Sequence, residues 1–213
     1  MVQSTLAEAF RSGSSAAHRE TENSSYIQMM IEGKITCKSH VAYLHALWFV
    51  YRAMEEVITP NDSRLGIVYD PALFRTQALA ADYQYYSGKP LQVDAAPASP
   101  ATRDYVANIH ALANDWPLGL LAHHYTRYIG DLAGGQGLKS CVEMALQPEP
   151  GQGLAAFEFP LIADPAAYRL GYRQKLNSIP VTSEETEKLV EEVKHVFQLN
   201  RNLFIELASN LMN

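Results

Sequence analysis

Between Ser39 and Ile58 the apolar residues Val41, Leu44, Trp48, Tyr51, Met54 and Ile58 return every three or four positions. That is the rhythm of one helix face, not of a strand. The same rhythm fills most of the 213 residues, and alternating strand-like runs are nearly absent. A chain written this way can bury its apolar faces only by packing helix on helix. The periodicity and its punctuation predict helices over residues 4–21, 24–31, 39–58, 70–87, 99–114, 116–146 and 164–177, with a long last helix from 182. Asp70-Pro71, Ser99-Pro100 and Asp164-Pro165 each pair a capping residue with proline at the first helical position, and Thr182-Ser183-Glu184-Glu185 reads as a capping box. The first helix carries Leu6, Phe10, Gly13, Ala17 and His18 along one stripe; the last carries Leu189, Val193, Phe197, Asn200, Phe204, Leu207 and Leu211. The expectation is an all-α fold of seven to eight helices forming one domain over residues 1–213.

With 47% hydrophobic and 19% charged residues the chain has ample material for a core. A net charge of -6 and a pI near 5.6 argue against nonspecific nucleic-acid binding, which needs a basic footprint. Cys37 and Cys141 stand apart without a CxxC or CxxCH pattern, so they read as free thiols of a reducing compartment. The N-terminus lacks the apolar core of a signal peptide, and no stretch approaches a membrane span. A soluble cytoplasmic monomer without a membrane anchor is expected.

The segment Tyr125 to Gly137 sits in a helical pattern yet places Gly130, Gly134, Gly135 and Gly137 within eight positions. Each interior glycine costs a helix about 1 kcal/mol relative to alanine, so bare backbone must serve a purpose here. A phosphate loop fails because Leu138 separates Gly137 from Lys139 and a helix, not a strand, precedes it. A dinucleotide fingerprint fails because Ser140 stands where the third glycine belongs. Close helix packing through Gly130-x-x-x-Gly134 accounts for two of the glycines and leaves two without a reason. A large flat ligand lying against the backbone, such as a porphyrin, accounts for all four, with a kink at the clustered glycines leaving room above a metal.

A porphyrin metal needs a ligand on an opposing helix. Among His18, His40, His45, His110, His123, His124 and His195, His18 has the most useful neighbours. Glu22 lies one turn on, where a carboxylate can hold the ring nitrogen that faces away from a metal. Arg11 lies seven residues earlier, about 10 Å along the same stripe, within reach of a carboxylate at a porphyrin edge. Glu192-x-x-His195 is half of a di-iron carboxylate motif, but no second ExxH occurs in the chain.

These residues carry a resemblance. Ala17-His18-x-x-x-Glu22 and Leu121-Ala122-His123-x-Tyr125-Thr126-Arg127-Tyr128-Ile129-Gly130-Asp131-Leu132-x-Gly134-Gly135-Gln136 resemble the heme oxygenases, as do Tyr172-Arg173 followed by Leu176-Asn177, and Phe197-x-Leu199-Asn200. The resemblance spans essentially the whole chain. It implies heme b sandwiched between the first helix and a glycine-kinked distal helix, with His18 as the iron ligand and Glu22 as its partner. It places Gly130 and Gly134 over the porphyrin, makes Asp131 the distal aspartate that orders a water network, and gives it Tyr51, Arg127 and Asn200 as hydrogen-bond partners. Arg11, Tyr125, Arg169 and Arg173 fall at propionate contacts, Thr126 among the heme-binding residues, and Phe197 in the pocket lining.

The activity so implied is oxidative cleavage of heme by O2 at the α-meso carbon, giving biliverdin, carbon monoxide and ferrous iron. Electrons would come from an external donor, a ferredoxin-type protein or an NADPH-dependent reductase, because no flavin or nicotinamide motif is present; Arg11, Arg169, Arg173 and Lys175 offer it a basic rim. The alternative on the same fold is a carrier or gas sensor that binds heme without degrading it. A thiamin-degrading hydrolase on a related scaffold would need a pocket cysteine, which neither Cys37 nor Cys141 supplies. The chain departs from the family at Ala133, often Ser, at Gly137, usually branched and apolar, and at Ser15, commonly basic.

Overall fold

A computed structural model describes residues 4–92, 96–97 and 99–209, and among these it places ten α-helices and no strand. They are α1 (Leu6–Gly13), α2 (Ser15–Glu22), α3 (Ser25–Ile31), α4 (Cys37–Val57), α5 (Thr76–Ser87), α6 (Pro100–Asp115), α7 (Leu120–His124), α8 (Gly130–Leu146), α9 (Pro165–Ser178) and α10 (Ser183–Ser209). Because α1 and α2 form one interrupted helix, and α7 and α8 are joined by a π-helical turn at Tyr125–Ile129, the ten segments make eight helical units.

The helix starts follow the capping chemistry. Thr5 and Glu8 form a reciprocal box at α1, and Thr36 and Ser39 form another at α4. Asp164 accepts from the backbone N–H groups of Ala166 and Ala167. At α10 the Glu185 N–H donates to Thr182 Oγ1 at 3.1 Å, and the Thr182 N–H donates to Glu185 Oε2 at 2.9 Å.

Three boundaries differ from the periodicity. The first helix breaks at Ser14, whose hydroxyl donates back to the Phe10 carbonyl at 2.7 Å, a bond that competes with the helix ladder. Gly13 at this break is required by packing, since a Cβ there would lie 2.4 Å from Val190 Cγ1 of α10. Asp70 caps as expected, accepting from Ala72 N–H, but only a 3₁₀ turn, Pro71–Leu73, follows it. The helix proper starts at Thr76 because Glu55 of α4 accepts the N–H groups of Arg75 and Thr76 and so serves as its cap. Trp116-Pro117 likewise opens a 3₁₀ turn, Pro117–Gly119, ahead of α7.

Helix α4 is buried on nearly every side from Tyr43 to Met54, as a central helix must be. Helix α10 packs against α1, α2, α3, α4, α6 and α7. The apolar stripe read from its sequence is buried from Leu189 to Leu207; Leu211 lies outside the described residues.

One core residue gives the fold a pH dependence. His40 is fully buried among Tyr43, Tyr86 and Phe157, and neither ring nitrogen has a hydrogen-bond partner. Burial pushes its pKa down from 6.5 to about 4. The unfolded chain therefore takes up this proton below pH 6.5 while the folded chain does not until about pH 4. Stability present above pH 6.5 is lost as the pH falls through this window. The expected loss is about 3 kcal/mol. Urea denaturation at several pH values should show this loss in the native sequence relative to His40→Leu; parallel stability curves would refute the assignment.

Candidate functional site

The distal helix runs from α7 through the π turn into α8. Its local irregularity lies in Tyr125–Ile129, directly ahead of Gly130. A π turn inserts extra backbone and re-aims the side chains that follow. None of Gly130, Gly134, Gly135 and Gly137 has a positive φ. Their backbones are ordinary helix, so the glycines are not there for conformational freedom.

A Cβ built on any of these four meets no atom within 4 Å. That removes close helix packing as their reason. Gly130, Ala133, Gly134 and Gly137 are all exposed and follow the i, i+3, i+4, i+7 spacing of a single helix face. The chain presents about 10 Å of nearly bare backbone along one stripe. A flat ligand could approach it to van der Waals contact with the main chain.

A connected set of polar groups stands beside that stripe. Tyr51 of α4 donates its hydroxyl to Asp131 Oδ2. Arg127 donates to the Tyr51 oxygen from Nε at 3.1 Å and Nη2 at 2.9 Å, and to Asn200 Oδ1 at 2.7 Å; its Nη2 also lies 3.4 Å from Asp131 Oδ1. Asn200 in turn donates to Tyr105 at 3.1 Å and to the Val196 carbonyl at 2.8 Å. Tyr51, Tyr105, Arg127 and Asn200 are buried, whereas the Asp131 side chain keeps 26% of its surface exposed. Burial raises the Asp131 pKa, opposed by the Arg127 charge, the Tyr51 hydrogen bond and the Arg75 charge. Burial likewise pushes the Tyr105 phenol up to about 12. The arrangement holds one ionisable carboxyl at the edge of solvent and fixes its orientation from the protein side.

On the other side, His18 of α2 keeps 50% of its side chain exposed. Its Nδ1 lies 3.5 Å from Glu22 Oε2, one turn on, and its ring meets Phe197 edge-on at 5.3 Å. Thr21 anchors α2 by donating to the Phe197 carbonyl at 3.1 Å. The other histidines divide by burial: His40, His123 and His124 are enclosed, His45 is half-buried, and His110 and His195 are exposed on α6 and α10. His123 is taken by Asn108 at 2.8 Å, and His124 by the Tyr172 hydroxyl at 2.9 Å. Among the described residues no group of three His, Cys, Asp or Glu side chains could hold a metal, so the Glu192–His195 pair makes no di-iron site.

The edge contacts are mixed. Phe10 of α1 meets Tyr125 edge-on at 5.2 Å, joining the first helix to the distal one. Arg11 and Arg173 are exposed, and both charges act on the Tyr125 phenol against the upward effect of its burial. Arg169 is half-buried and donates from Nη1 to the Leu132 carbonyl at 2.6 Å, tying α9 to the distal helix. Thr126 is buried, and its hydroxyl has no hydrogen-bond partner.

Tyr105, Glu55 and Arg75 also belong to this neighbourhood, and the sequence did not single them out. Tyr105 shares a helix face with Ile109 and Leu112, so a polar stop on an apolar stripe was its visible signal. Arg75 and Glu55 gave no such signal, because each reads as a surface charge.

An all-helical frame with a half-exposed imidazole on one wall, and bare backbone beside a buried acid–arginine–tyrosine set on the other, is that of a protein for a large flat ligand. Comparison with known proteins names the kind. The family described as Heme oxygenase matches residues 4–206. The chain is 36% identical over 208 residues to "Heme oxygenase" of Guillardia theta, covering 97% of this chain and 87% of that one. It superposes on the heme oxygenase structure from Leptospira interrogans with a TM-score of 0.91 at 37% identity, covering 95% of this chain and 100% of that one. On heme oxygenase-1 from the cyanobacterium Synechocystis sp., crystallised in complex with heme, the TM-score is 0.93 at 34% identity, covering 98% of this chain and 95% of that one. The chain belongs to the heme oxygenase family, whose members are oxidoreductases that degrade heme. Among the described residues no helix is long and apolar enough to cross a membrane.

Proposed function

We propose that this chain binds heme b between α2 and the bare stripe of α8 and cleaves it with O2, at the α-meso carbon, to biliverdin, carbon monoxide and ferrous iron. The observation that carries this reading is the exposed stripe Gly130, Ala133, Gly134 and Gly137, with open space at each glycine Cβ position, next to the Asp131 carboxyl. When bound, heme supplies both the iron that activates O2 and the macrocycle that is oxidised.

His18 would hold the iron, with Glu22 accepting from its other ring nitrogen and raising its basicity. Arg11, Arg173 and Tyr125 would meet the propionates at the edge joined by Phe10. Arg169 has one donor committed to Leu132 and would contribute through its remaining ones. These contacts set the rotation of the ring and so the carbon that is attacked. With no side chain to fill that volume, the bare stripe would leave room for a diatomic ligand against the main chain. Asp131, held by Tyr51 and Arg127, accepts from a water in the distal pocket and orients it, and that water delivers the proton. Asn200 keeps Arg127 in place and turns the charge toward Asp131.

The reductant comes from a separate protein, ferredoxin-type or NADPH-dependent, drawn to the rim of Arg11, Arg173 and Lys175. The chain is read as a cytoplasmic monomer.

Reconstitution with hemin in air, with ascorbate as donor, tests the proposal. The expected result is loss of the Soret band, rise of biliverdin absorbance and release of carbon monoxide in step. A stable heme spectrum under donors confirmed to reduce the iron would favour a carrier or sensor.

A further inference from the structure

Asp131, Gly135 and Leu138 follow one another at i, i+4 and i+7, on a different face of α8 from the bare stripe. With Tyr43, Leu47, Tyr51, Arg75, Leu79, Arg127, Ala156 and Phe157 they enclose a small cavity of ≈ 20 Å³. A space of that size admits about one water. Its polar lining brings a second cation, Arg75, to the side of Asp131 turned away from the glycines.

Arg75 is 4% exposed, an unusual depth for a guanidinium. Its guanidinium donates to main-chain oxygens, Nε to Leu73 at 3.0 Å and Nη1 to Glu158. The guanidinium lies 3.9 Å over the Phe159 ring. These contacts fix its position, but they are neutral, and a buried cation needs compensating negative charge. Glu55 supplies part of it while also holding the Arg75 backbone N–H at 2.6 Å. Asp131, which lines the same cavity, acts on it as well. Two buried cations, Arg127 and Arg75, and two part-buried carboxyls, Asp131 and Glu55, thus share one neighbourhood.

We infer that Arg75 is a positioning residue for the distal acid, a fixed second cation that holds Asp131 in its ionised form from behind. This rests on the role proposed for Asp131 above. The groups acting on Asp131 come from four elements: Tyr43 and Tyr51 of α4, Tyr105 of α6, Arg127 and Tyr128 of the distal helix, and Arg75 at the head of α5. Only Arg127 and Arg75 among them are cations. Arg127 is tied to Tyr51 and Asn200, whereas Arg75 is anchored separately on the Leu73 and Glu158 carbonyls.

The test is the titration of Asp131 in the full-length chain before heme is added, followed by NMR of carboxyl-labelled aspartate and assigned with Asp131→Asn. Arg75→Gln is expected to raise the proton affinity of Asp131 about tenfold, the effect of losing one nearby opposite charge. Arg75→Lys is expected to keep the wild-type midpoint. A folded Arg75→Gln protein with the Asp131 midpoint unchanged overturns the inference. If Arg75→Gln does not fold, Arg75→Met, which fills the buried volume without a charge, takes its place: a raised midpoint supports the field of Arg75, and an unmoved one overturns it. Because no heme is present, failure here leaves the proposed reaction standing. Heme cleavage by Asp131→Ala would end the proposed role of Asp131 without changing the titration.

Discussion

His18→Ala is expected to lose tight heme binding. Titrated with hemin, it should show an affinity reduced roughly 100-fold, at the upper end of what loss of a mere supporting partner costs a metal site, and a spectrum without a histidine-ligated iron. Added imidazole should restore that spectrum. The argument is one of access. His40, His123 and His124 are enclosed, and burial drives His124 down to about 3. His110 and His195 are exposed on α6 and α10. His18 alone combines a half-exposed ring, a carboxylate 3.5 Å from Nδ1 and an aromatic wall at Phe197. His195→Ala is the control and should bind as the native chain does. Native affinity and spectrum in His18→Ala would remove it as the iron ligand.

Helix count and core were legible because a 3.6-residue apolar rhythm has few packing solutions. The stripe of α10 and its capping box are present as read. What escaped were events decided across the tertiary structure. Asp70-Pro71 is a sound local start, yet Glu55 from α4 offers a better partner for the N–H groups of Arg75 and Thr76, and the helix begins there. The break at Ser14 follows from a hydroxyl that bonds its own helix and from the close approach of α10 at Gly13. Neither is visible in a one-dimensional pattern.

The distal set was reached through the resemblance rather than through spacing: Arg127 and Asp131 are four apart on one helix, but no one-dimensional pattern joins them to Tyr51 of α4 or Asn200 of α10. The glycines were readable as a question, and only the open space at each Cβ position separated a ligand face from a packing face. Arg75 could not be found this way. A lone arginine between a 3₁₀ turn and a helix reads as surface until its neighbours are placed.

The second large effect is expected at Asp131. Asp131→Ala should bind heme with near-native affinity, since Asp131 touches neither His18 nor the residues beside Tyr125, and should lose heme degradation by about 10²–10⁴-fold, the usual weight of a positioned proton-transfer group. The rate of Soret loss and of carbon monoxide release under the ascorbate assay measures it. Asp131→Asn sharpens the test. It keeps the size and the capacity to accept from Tyr51 but cannot exchange a proton in the working pH range, so it should be nearly as inactive as alanine. A purely structural aspartate behaves differently. Arg127 would still be held by Tyr51 and Asn200 in Asp131→Ala, so any loss of activity from a weakened fold should track a fall in thermal stability, and Asp131→Asn should recover most of it. Activity lost without loss of stability, in both variants alike, identifies the carboxylate as the group that orients the proton-delivering water. Activity restored in Asp131→Asn would reduce Asp131 to a partner of Arg127 and leave the proton to arrive by another path.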